Sequence, residues 1–543
     1  MTDATIPMSS LWRAGEAPED PALAWPTLRD PSAGLPPERF DVAIVGAGIT
    51  GLATALMLVR GGLEVIVVEA DRIAALASGA NTGKASVLQG KTLQRIRASH
   101  PERLVRGYVE ANLDGQRWIA EFARQHDVPV AEETAYSYAA SDAGLPTVDR
   151  EFAAALAAGL PVERVERLPV TFPFAGAVAL PGQLALDPYR LAVAMARAFV
   201  AEGGTLVDSV RVEDVDAGRP VELRTPHGTI RADAAVIATA APTMYRGLYF
   251  AKTRASRSYL TSYRVDDAPP PGLFLSVDEP IRSLRTTPDP DAEADVPPLL
   301  LVGGNNHIVG TADSTEAKVQ ELVRWTTRHF ARAQLTHRWA AQDHDSHNLI
   351  PFVGRMPRGR GRVWMATGYA KWGLTNGAAA AIRISSEILG VPWREQRPWI
   401  RVLGTRVTRP SDLARGAAEN ARVARGLAVG WARAQGHPAP AARPAEGQGV
   451  VVSRGGVPYG VSTVDGRTCA VRAVCTHLGG VLRWNDAECT WDCPLHASRF
   501  DHRGNRIEGP AVRDLERVDA TPLDEVLRAG AAERQGAADQ SPA

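Results

Sequence analysis

The chain has 543 residues, of which 45% are apolar and 22% charged, and it carries 61 basic and 61 acidic side chains. This length is too great for one hydrophobic core, so at least two domains are expected. The balance of charge gives no overall field that favours nucleic acid or anionic lipid, and neither is expected as a partner. No stretch approaches the roughly 18 continuous apolar residues of a membrane-spanning helix.

The first strong pattern is a β-α-β unit that begins at Asp41 and ends at Glu69. Its glycines, Gly46, Gly48 and Gly51, follow an apolar strand and open a helix. The first allows a tight turn, the second lets the backbone approach a pyrophosphate, and the third lets strand and helix pack closely. The helix N-terminus attracts phosphates, and Glu69 is placed to accept hydrogen bonds from a ribose hydroxyl. The pattern therefore predicts a dinucleotide-binding site.

Capping and turn residues predict the next elements along the chain. Asp187, which is followed by a proline, predicts the start of a helix that runs through Phe199. The apolar run Ala234–Thr239 is typical of a buried strand. Ser314 predicts the cap of an amphipathic helix that ends near Ala333.

The segment from about 37 to 400 resembles the D-amino-acid-oxidase-like flavoproteins. Besides the glycine fingerprint, the resemblance rests on VIATA at 236–240, IPFVG at 350–354 and ATGYAKWGLTNG at 366–377. It implies FAD as the cofactor and an α/β FAD-binding Rossmann-like fold of the glutathione-reductase/D-amino-acid-oxidase type, with an interleaved α+β substrate domain. In that family the last glycine-rich stretch closes over the isoalloxazine, and the next helix points its N-terminus at the pyrimidine edge.

The resemblance also implies which other residues contact FAD: Thr82, Lys84, Val212, Gly368, Gly373 and Leu374. Lys84 and Lys371 lie in segments expected near the flavin and are candidates to polarise its ring or bound oxygen; the alternative is a solvated or phosphate-facing lysine. His307 follows an apolar strand and is a candidate to face the substrate; the alternative is a structural turn histidine. His307 and Lys371 are therefore the predicted catalytic residues.

The segment that precedes Ile350 has two unusual features. The family commonly has an acid two residues before the Leu- or Ile-Pro step, where this chain has Asn348, so no carboxylate role is expected there. Asp343–His347 contains two histidines three residues apart with neighbouring acids, a set that would suit mononuclear iron. The same segment is needed as the loop that enters the IPFVG motif, and we therefore expect no metal there.

Composition changes after Thr405, where an Ala/Arg-rich helical run leads into a Pro/Ala/Gly stretch typical of a semi-extended linker. Short β-like runs then continue to Val518. We predict five segments: an N-terminal extension (1–36), an FAD-dependent oxidoreductase domain with FAD-binding and interleaved substrate subdomains (37–405), a helix and linker (406–446), an all-β domain (447–525) and a disordered tail (526–543).

The all-β segment carries a C-x-H and a C-x-x-H motif, formed by Cys475, His477, Cys493 and His496. Two thiolates and two imidazoles suit a Rieske [2Fe–2S] cluster, with the cysteines on one iron and the histidines on the other. The alternative is a Cys₂His₂ zinc site. The CTHLG and CPLHAS contexts resemble Rieske ferredoxin-like domains over about 447–520, and Glu508–Ala511 matches the family's proline loop.

All four cysteines lie between 469 and 493, which indicates one local site in a reducing, cytoplasmic protein rather than a disulfide scaffold. The two that are left over, Cys469 and Cys489, are expected to be free thiols. Respiratory Rieske proteins have a disulfide where this chain has Gly480 and Leu495, and a tyrosine where it has Phe500. Ser498 keeps a hydroxyl that can donate to a cluster sulfur.

The fused arrangement resembles a bacterial family of D-amino-acid-oxidase-like flavoproteins with a C-terminal Rieske domain, whose members open with a Ser-x-Trp segment, as Ser10–Trp12 does here. The resemblance implies a cytoplasmic oxidoreductase. Our first hypothesis is that it oxidises an amine or amino acid at FAD and passes electrons through the cluster to an external acceptor. The alternative is an electron-transfer or redox-sensing partner with little turnover of its own. A Rieske oxygenase would need a 2-His-1-carboxylate iron site, and the sequence has no such spacing.

Overall fold

The computed structural model describes residues 6–13, 39–241, 249–266, 271–289, 297–404, 410–435 and 443–518. The predicted tail, most of the N-terminal extension and part of the linker lie outside these residues. The chain forms two compact units. The first contains 1–240, 257–306 and 321–412, and the second contains 241–256, 307–320 and 413–543.

The helices follow one another along the chain as α1 (Ile49–Arg60), α2 (Thr92–Ser99), α3 (Glu102–Gln125), α4 (Leu145–Ala157), α5 (Pro188–Ala201), α6 (Thr315–His329), α7 (Gly373–Ile388), α8 (Pro398–Gly404) and α9 (Pro410–Gln435). Among the described residues, no helix is long and apolar enough to cross a membrane.

The strands up to residue 367 are β1 (Arg39–Val45), β2 (Val65–Val68), β3 (Lys84–Ala85), β4 (Val130–Ala139), β5 (Glu163–Val165), β6 (Gly176–Leu186), β7 (Thr205–Val207), β8 (Asp214–Asp216), β9 (Val221–Thr225), β10 (Gly228–Ile237), β11 (Thr253–Arg264), β12 (Leu273–Ser276), β13 (Arg282–Thr287), β14 (Leu299–Ile308), β15 (Gln334–Ser346), β16 (Phe352–Arg355) and β17 (Val363–Thr367). Those of the C-terminal part are β18 (Gly449–Arg454), β19 (Val457–Val464), β20 (Arg467–Arg472), β21 (Arg483–Asn485), β22 (Thr490–Asp492), β23 (Arg499–Asp501), β24 (Arg506–Glu508) and β25 (Arg517–Val518).

An eight-stranded sheet in the order β16-β17-β10-β1-β2-β7 forms the centre of the first unit. Its remaining two strands are β9, which pairs with β10, and β8, which pairs with β9. Strands β1, β2, β7, β10 and β17 are parallel. Strands β2 and β17 and residues 235–237 of β10 are buried throughout, as is typical of parallel strands covered on both faces. Helices α1, α5 and α7 supply much of the core that packs with these strands. Asp187 caps α5 by accepting from the N–H groups of Tyr189 and Arg190, as its sequence predicts.

A nine-stranded sheet in the order β15-β11-β14-β13-β12-β4-β6-β3, with β5 beside β6, forms the second layer of strands. Its core is shared with helices α2, α3 and α4. This interleaved arrangement confirms the predicted fold class. One strand differs from expectation at both ends: β10 runs from Gly228 to Ile237 rather than from Ala234 to Thr239. It begins earlier because residues 228–232 pair with β9 in a hairpin, and from Arg231 onward the strand also pairs with β1.

The second unit contains two four-stranded sheets, β18-β19-β20-β25 and β21-β22-β23-β24. Helix α9 packs on their core through Val423 and Leu427. The unit also recruits the segments 241–256 and 307–320. In the latter, Asp486 of the C-terminal domain accepts hydrogen bonds from the N–H groups of Thr315 and Glu316 and from the Ser314 hydroxyl. These hydrogen bonds outweigh burial and lower the pKa of Asp486.

The N-terminal Ser-x-Trp segment is built into the first unit. Trp12 donates to the Asn81 carbonyl at 2.8 Å, and Ser10 donates to the Gly79 carbonyl at 3.1 Å. The guanidinium of Arg285 lies 5.2 Å above the Trp12 ring, and Trp339 meets the same ring edge-on. The segment therefore holds the loop that follows β2.

Replacing Trp12 with alanine is expected to remove about 3–5 kcal/mol from the free energy of unfolding, because a large buried ring and its hydrogen bond are lost. Urea titration followed by circular dichroism measures the change. Trp393 is 57% exposed, and Trp393→Ala is the matched control with an expected change within about 0.5 kcal/mol. Equal losses in the two variants would show that the N-terminal segment contributes nothing specific.

Candidate cofactor sites

The first glycine turn has the geometry that the sequence predicts. Gly46 has a φ of +108°, and a Cβ there would lie 2.7 Å from the Ala238 carbonyl oxygen. A Cβ at Gly51 would lie 1.9 Å from the Gly46 oxygen, so helix and strand meet too closely for any side chain. At Gly48 a Cβ would meet only the Ser78 side chain, at 2.8 Å. The space beside Gly48 is therefore a cradle that suits a pyrophosphate.

Glu69 lies beside this turn at the end of β2. One carboxylate oxygen accepts from the Ala47 N–H at 2.7 Å and the other from the Asp71 N–H at 3.0 Å. Burial raises the pKa of Glu69, although these backbone hydrogen bonds oppose the rise. A carboxylate has about four lone-pair sites, so two backbone donors leave acceptor capacity for a ribose hydroxyl. The predicted role of Glu69 fits this geometry.

The last glycine-rich stretch meets helix α1 through a contact that the sequence did not indicate. The Tyr369 hydroxyl lies 2.9 Å from the Thr50 hydroxyl. A Cβ at Gly377 would lie 2.8 Å from the same Thr50 oxygen, so α7 and α1 approach each other closely. Gly368 has a φ of +85° and lies against Ser346. Gly373 is the first residue of α7, and the next residue, Leu374, is buried.

A buried polar network fixes the first turn of α7. The Thr375 hydroxyl donates to Asn112 at 2.6 Å, and Asn112 donates to Asn376 at 3.2 Å. Gln89 donates to Asn112 at 3.1 Å and accepts from the Tyr108 hydroxyl at 2.6 Å. Sequence reasoning missed these residues, because their partners lie far apart in the chain. The network holds the N-terminal end of α7. In the D-amino-acid-oxidase-like family this end of the helix points at the flavin.

The two predicted flavin lysines differ in their surroundings. Lys84 is buried, and its ammonium donates to the Phe274 carbonyl at 2.7 Å and the Ser283 hydroxyl at 2.8 Å. Burial, followed by the nearby charge of Arg285, lowers the pKa of Lys84. These contacts are neither solvent nor phosphate, the alternatives that the sequence suggested, and they favour a structural role in the sheet.

Lys371 is exposed and lies in a strained turn, with a φ of +75° that follows the +52° of Ala370. Its N–H donates to Asp343, which also accepts from the His344 N–H at 2.7 Å. Burial raises the pKa of Asp343 to about 6. Strain of this kind is frequent at functional sites. Asp343 therefore holds the turn that carries Lys371.

His344 is one of the two histidines of the Asp343–His347 segment that the sequence analysis considered for iron. It is 2% exposed, and burial lowers its pKa to about 4, so the ring is neutral. Neither ring nitrogen has a hydrogen-bond partner within the described residues. Its backbone carbonyl accepts from the Ala370 N–H, which places its strand beside the last glycine-rich stretch.

The remaining predicted residues lie in several parts of the chain. The Thr82 carbonyl accepts from Arg285 at 2.6 Å. Val212 is half-buried in the segment after β7. His307, near the end of β14, belongs to the second unit, whereas Lys371 belongs to the first. In the described part of the chain no three His, Cys, Asp or Glu side chains are grouped around a single metal ion, at Asp343–His347 or elsewhere. A [2Fe–2S] cluster takes only two protein ligands per iron, so this finding does not bear on the cluster loops.

The two predicted cluster loops share one backbone design. In the first, the Cys475 N–H donates to the Gly480 carbonyl at 2.8 Å and the Gly479 N–H donates to the Cys475 carbonyl at 3.0 Å. The second loop repeats both bonds, at 2.9 Å each, from Cys493 to Ser498 and from Ala497 to Cys493. The fifth residue has a positive φ in each loop, +71° at Gly479 and +64° at Ala497.

The loops bring the four predicted ligands together in chemical states that suit iron. The rings of His477 and His496 lie 5.1 Å apart between centroids. Burial lowers the pKa of both to about 4, so both imidazoles are neutral, and the buried Nδ1 atom of His496 has no hydrogen-bond partner among the described residues. A hydrogen bond with the Cys493 thiol lowers the pKa of Cys475 to about 7. The residues fit a [2Fe–2S] cluster, which takes two protein ligands per iron.

Several neighbours complete the cluster site. The Ser498 hydroxyl accepts from the Ala511 N–H at 2.9 Å and hydrogen-bonds Cys475, and so it connects the proline loop to the ligands. A Cβ at Gly480 would lie 3.1 Å from the Cys493 sulfur, so this position is crowded. Phe500 is fully buried and has no hydroxyl to donate. Cys469 and Cys489 are both half-buried, and the Cys489 thiol donates to the Gly447 carbonyl at 4.0 Å.

The fold and the two sites define a flavoprotein oxidoreductase with an iron–sulfur domain. The model of the FAD dependent oxidoreductase family (DAO) matches residues 41–386, and the Rieske [2Fe-2S] domain model matches 438–519. The chain belongs to the FAD-dependent oxidoreductase family and carries a C-terminal Rieske domain. Its cofactors are FAD and a [2Fe–2S] cluster.

One known protein resembles nearly the whole chain, and two solved structures resemble about two thirds of it. YhfW of Bacillus subtilis (strain 168), whose name describes a Rieske 2Fe-2S iron-sulfur protein, is 27% identical over 93% of this chain and 98% of its own. Glycine oxidase from Geobacillus kaustophilus has a TM-score of 0.54 at 18% identity, covering 66% of this chain and 96% of its own. L-amino acid deaminase from Proteus vulgaris has a TM-score of 0.53 at 17% identity, covering 69% and 95%. These two solved structures share the fold of the part of this chain that they cover.

Gly48→Val is expected to yield protein without FAD, because branched methyl groups would occupy the pyrophosphate cradle. The ratio of flavin to protein after purification measures this. The new valine would also crowd the Ser78 side chain. A double variant that combines Gly48→Val with Ser78→Ala relieves that contact, and it should still lack FAD. Gly430→Ala, in helix α9, is the control that keeps it. Full flavin occupancy in the double variant would disprove the cradle.

We predict a cluster potential in the lower or middle part of the roughly −150 to +300 mV Rieske range, because Phe500 donates no hydrogen bond. Ser498→Ala should lower the potential further, since a donor that stabilises the reduced cluster is lost. EPR-monitored redox titration measures both. Ser462→Ala removes a buried hydroxyl from β19 and should leave the potential unchanged. A value near the top of the range would contradict the argument from Phe500.

Proposed function

We propose that this protein oxidises a small amine or amino acid at its flavin and releases the electrons through its Rieske cluster to an external one-electron acceptor. Gly46, Gly48 and Glu69 would hold FAD, and FAD would supply the two-electron acceptor for hydride removal from the α-carbon of the amine. Water would hydrolyse the resulting imine to a carbonyl compound and ammonia or an amine. The observation that carries the proposal is the presence, in one chain, of a site for a two-electron carrier and a site for a one-electron carrier.

The amine class is supported by the names of proteins that share the fold. They include glycine oxidase, L-amino acid deaminase and an L-proline dehydrogenase from P. horikoshii, all of which are named for substrates with an amine beside a carboxylate. The similarity is at the level of fold, so the substrate class is our inference.

The contacts of individual residues support the following roles. Gly46, Gly48 and Glu69 hold the ADP part of FAD, and α7 directs its N-terminal dipole at the flavin. Lys371 is the better candidate of the two lysines to act at the flavin ring, because the ammonium of Lys84 is engaged within the sheet. The role of His307 at the substrate stays a prediction from the sequence.

Electron exit is best tested with a ligand variant of the full chain. A truncation before the C-terminal domain would remove the partners of 241–256 and 307–320, which belong to the same compact unit. Cys493→Ser removes one ligand, and Cys469→Ser is the matched control because Cys469 is a free thiol outside the ligand set.

The expected result is that an amine from a panel reduces the flavin anaerobically in both variants at the wild-type rate. Steady-state turnover with a one-electron acceptor such as ferricyanide should fall severalfold in Cys493→Ser alone, because the cluster route is lost. Equal turnover in the two variants would show that the cluster is not the exit. If no amine reduces the flavin of the wild-type protein, the electron-transfer or sensor alternative becomes the better account.

A further inference from the structure

An aromatic side chain from the middle of the chain lies against both predicted histidine ligands. Phe250 meets the ring of His477 at 4.9 Å between centroids and the ring of His496 at 5.1 Å, edge-on in both cases. The two histidine rings are themselves perpendicular. The three rings form a mutually edge-on cluster within the second unit. Edge-to-face contacts of this kind are favourable, because the positive ring edge meets the negative ring face.

The segment that carries Phe250 is anchored on several sides. Its Ala251 carbonyl accepts from Asn420 of α9 at 3.0 Å, and the Thr253 hydroxyl donates to the Tyr249 carbonyl at 3.1 Å. Tyr249 is buried, and the ammonium of Lys252 lies 4.8 Å from its ring. Phe250 is therefore held in place by its neighbours.

The same segment also packs on the second cluster loop. Ala255 forms a buried apolar cluster with Val309 and with Ala497, the residue after His496. The Val309 N–H donates to the Ala255 carbonyl at 3.4 Å. A Cβ at Gly310 would lie 2.7 Å from the Pro494 Cα, so 307–320 also touches this loop. The contact of Phe250 with the histidines belongs to this larger packed surface.

We propose that Phe250 is a positioning residue for the cluster: it fixes the orientation of the two ligand imidazoles and covers the histidine edge of the cluster. A protein acceptor would then receive electrons at another face. The proposal rests on the cluster site and not on the amine substrate. It is therefore testable even if the proposed function fails.

The physical consequence is an effect on the reduction potential. Two ferric ions, two sulfides, two thiolates and two neutral imidazoles give no net charge, so reduction adds one negative charge. Water stabilises that charge better than an aromatic ring does. Removing the cover should therefore raise the potential, and it should also expose the ring nitrogens that do not bind iron.

The experiment compares the full-length holoprotein with Phe250→Ala and Phe250→Leu. Leucine keeps apolar volume without the ring, so it supports folding if the alanine variant loses its cluster. Redox titration gives the potential. Reaction of the dithionite-reduced protein with diethyl pyrocarbonate, followed by peptide mass analysis, gives the modification rates of His477 and His496, with His502 as the internal standard.

We expect the two ligand histidines to react severalfold faster in Phe250→Ala than in the wild type, with Phe250→Leu between them, while His502 reacts at one rate in all three. The potential should rise in the same order. If the alanine variant cannot be loaded, the leucine variant alone must show both changes. Unchanged histidine reactivity or an unchanged potential in a loaded variant would overturn the proposal.

Discussion

The flavin-binding half depends on how closely helix α7 approaches helix α1. The contact of Gly377 with the Thr50 hydroxyl leaves no room for a side chain, and Tyr369 bonds to the same hydroxyl. The first glycine turn and the last glycine-rich stretch, which are more than three hundred residues apart, are thereby fixed to each other. The four consecutive alanines of α7, Ala378–Ala381, are all buried, so this turn of the helix is packed on every side.

The unit that carries the cluster is stabilised in a different way, because separate segments of the chain assemble to form it. Asp486 caps a helix that begins at Thr315, and α9 donates from Trp431 to the Gly479 carbonyl of the first cluster loop at 3.0 Å. Beneath the second loop, Arg499 is buried among Glu488, Asp492 and Glu508, and their charges raise its pKa. The two ligand loops are thus supported by helix, cap and ion pairs together.

The parts predicted from sequence are those encoded over short distances. The glycine turn, the Asp187 cap and the two cysteine–histidine motifs each depend on residues within a few positions of one another. The contacts of Lys84 with Phe274 and Ser283 depend on strands 190 and 199 residues away, and the contact between Asn112 and Asn376 spans 264 residues. No local period encodes such contacts. The same reason explains why the sequence does not predict that 241–256 and 307–320 belong to the C-terminal unit.

Fusion of two redox sites gives each a high effective concentration of the other, and the central claim is that electrons pass between them within one chain. The most direct measurement is anaerobic mixing with a reducing amine, with flavin absorbance and the cluster EPR signal followed together at several protein concentrations. The account predicts that the cluster signal follows flavin reduction at a rate that does not depend on protein concentration. A rate that rises in proportion to protein concentration, or a reduced flavin beside a cluster that stays oxidised, would contradict it.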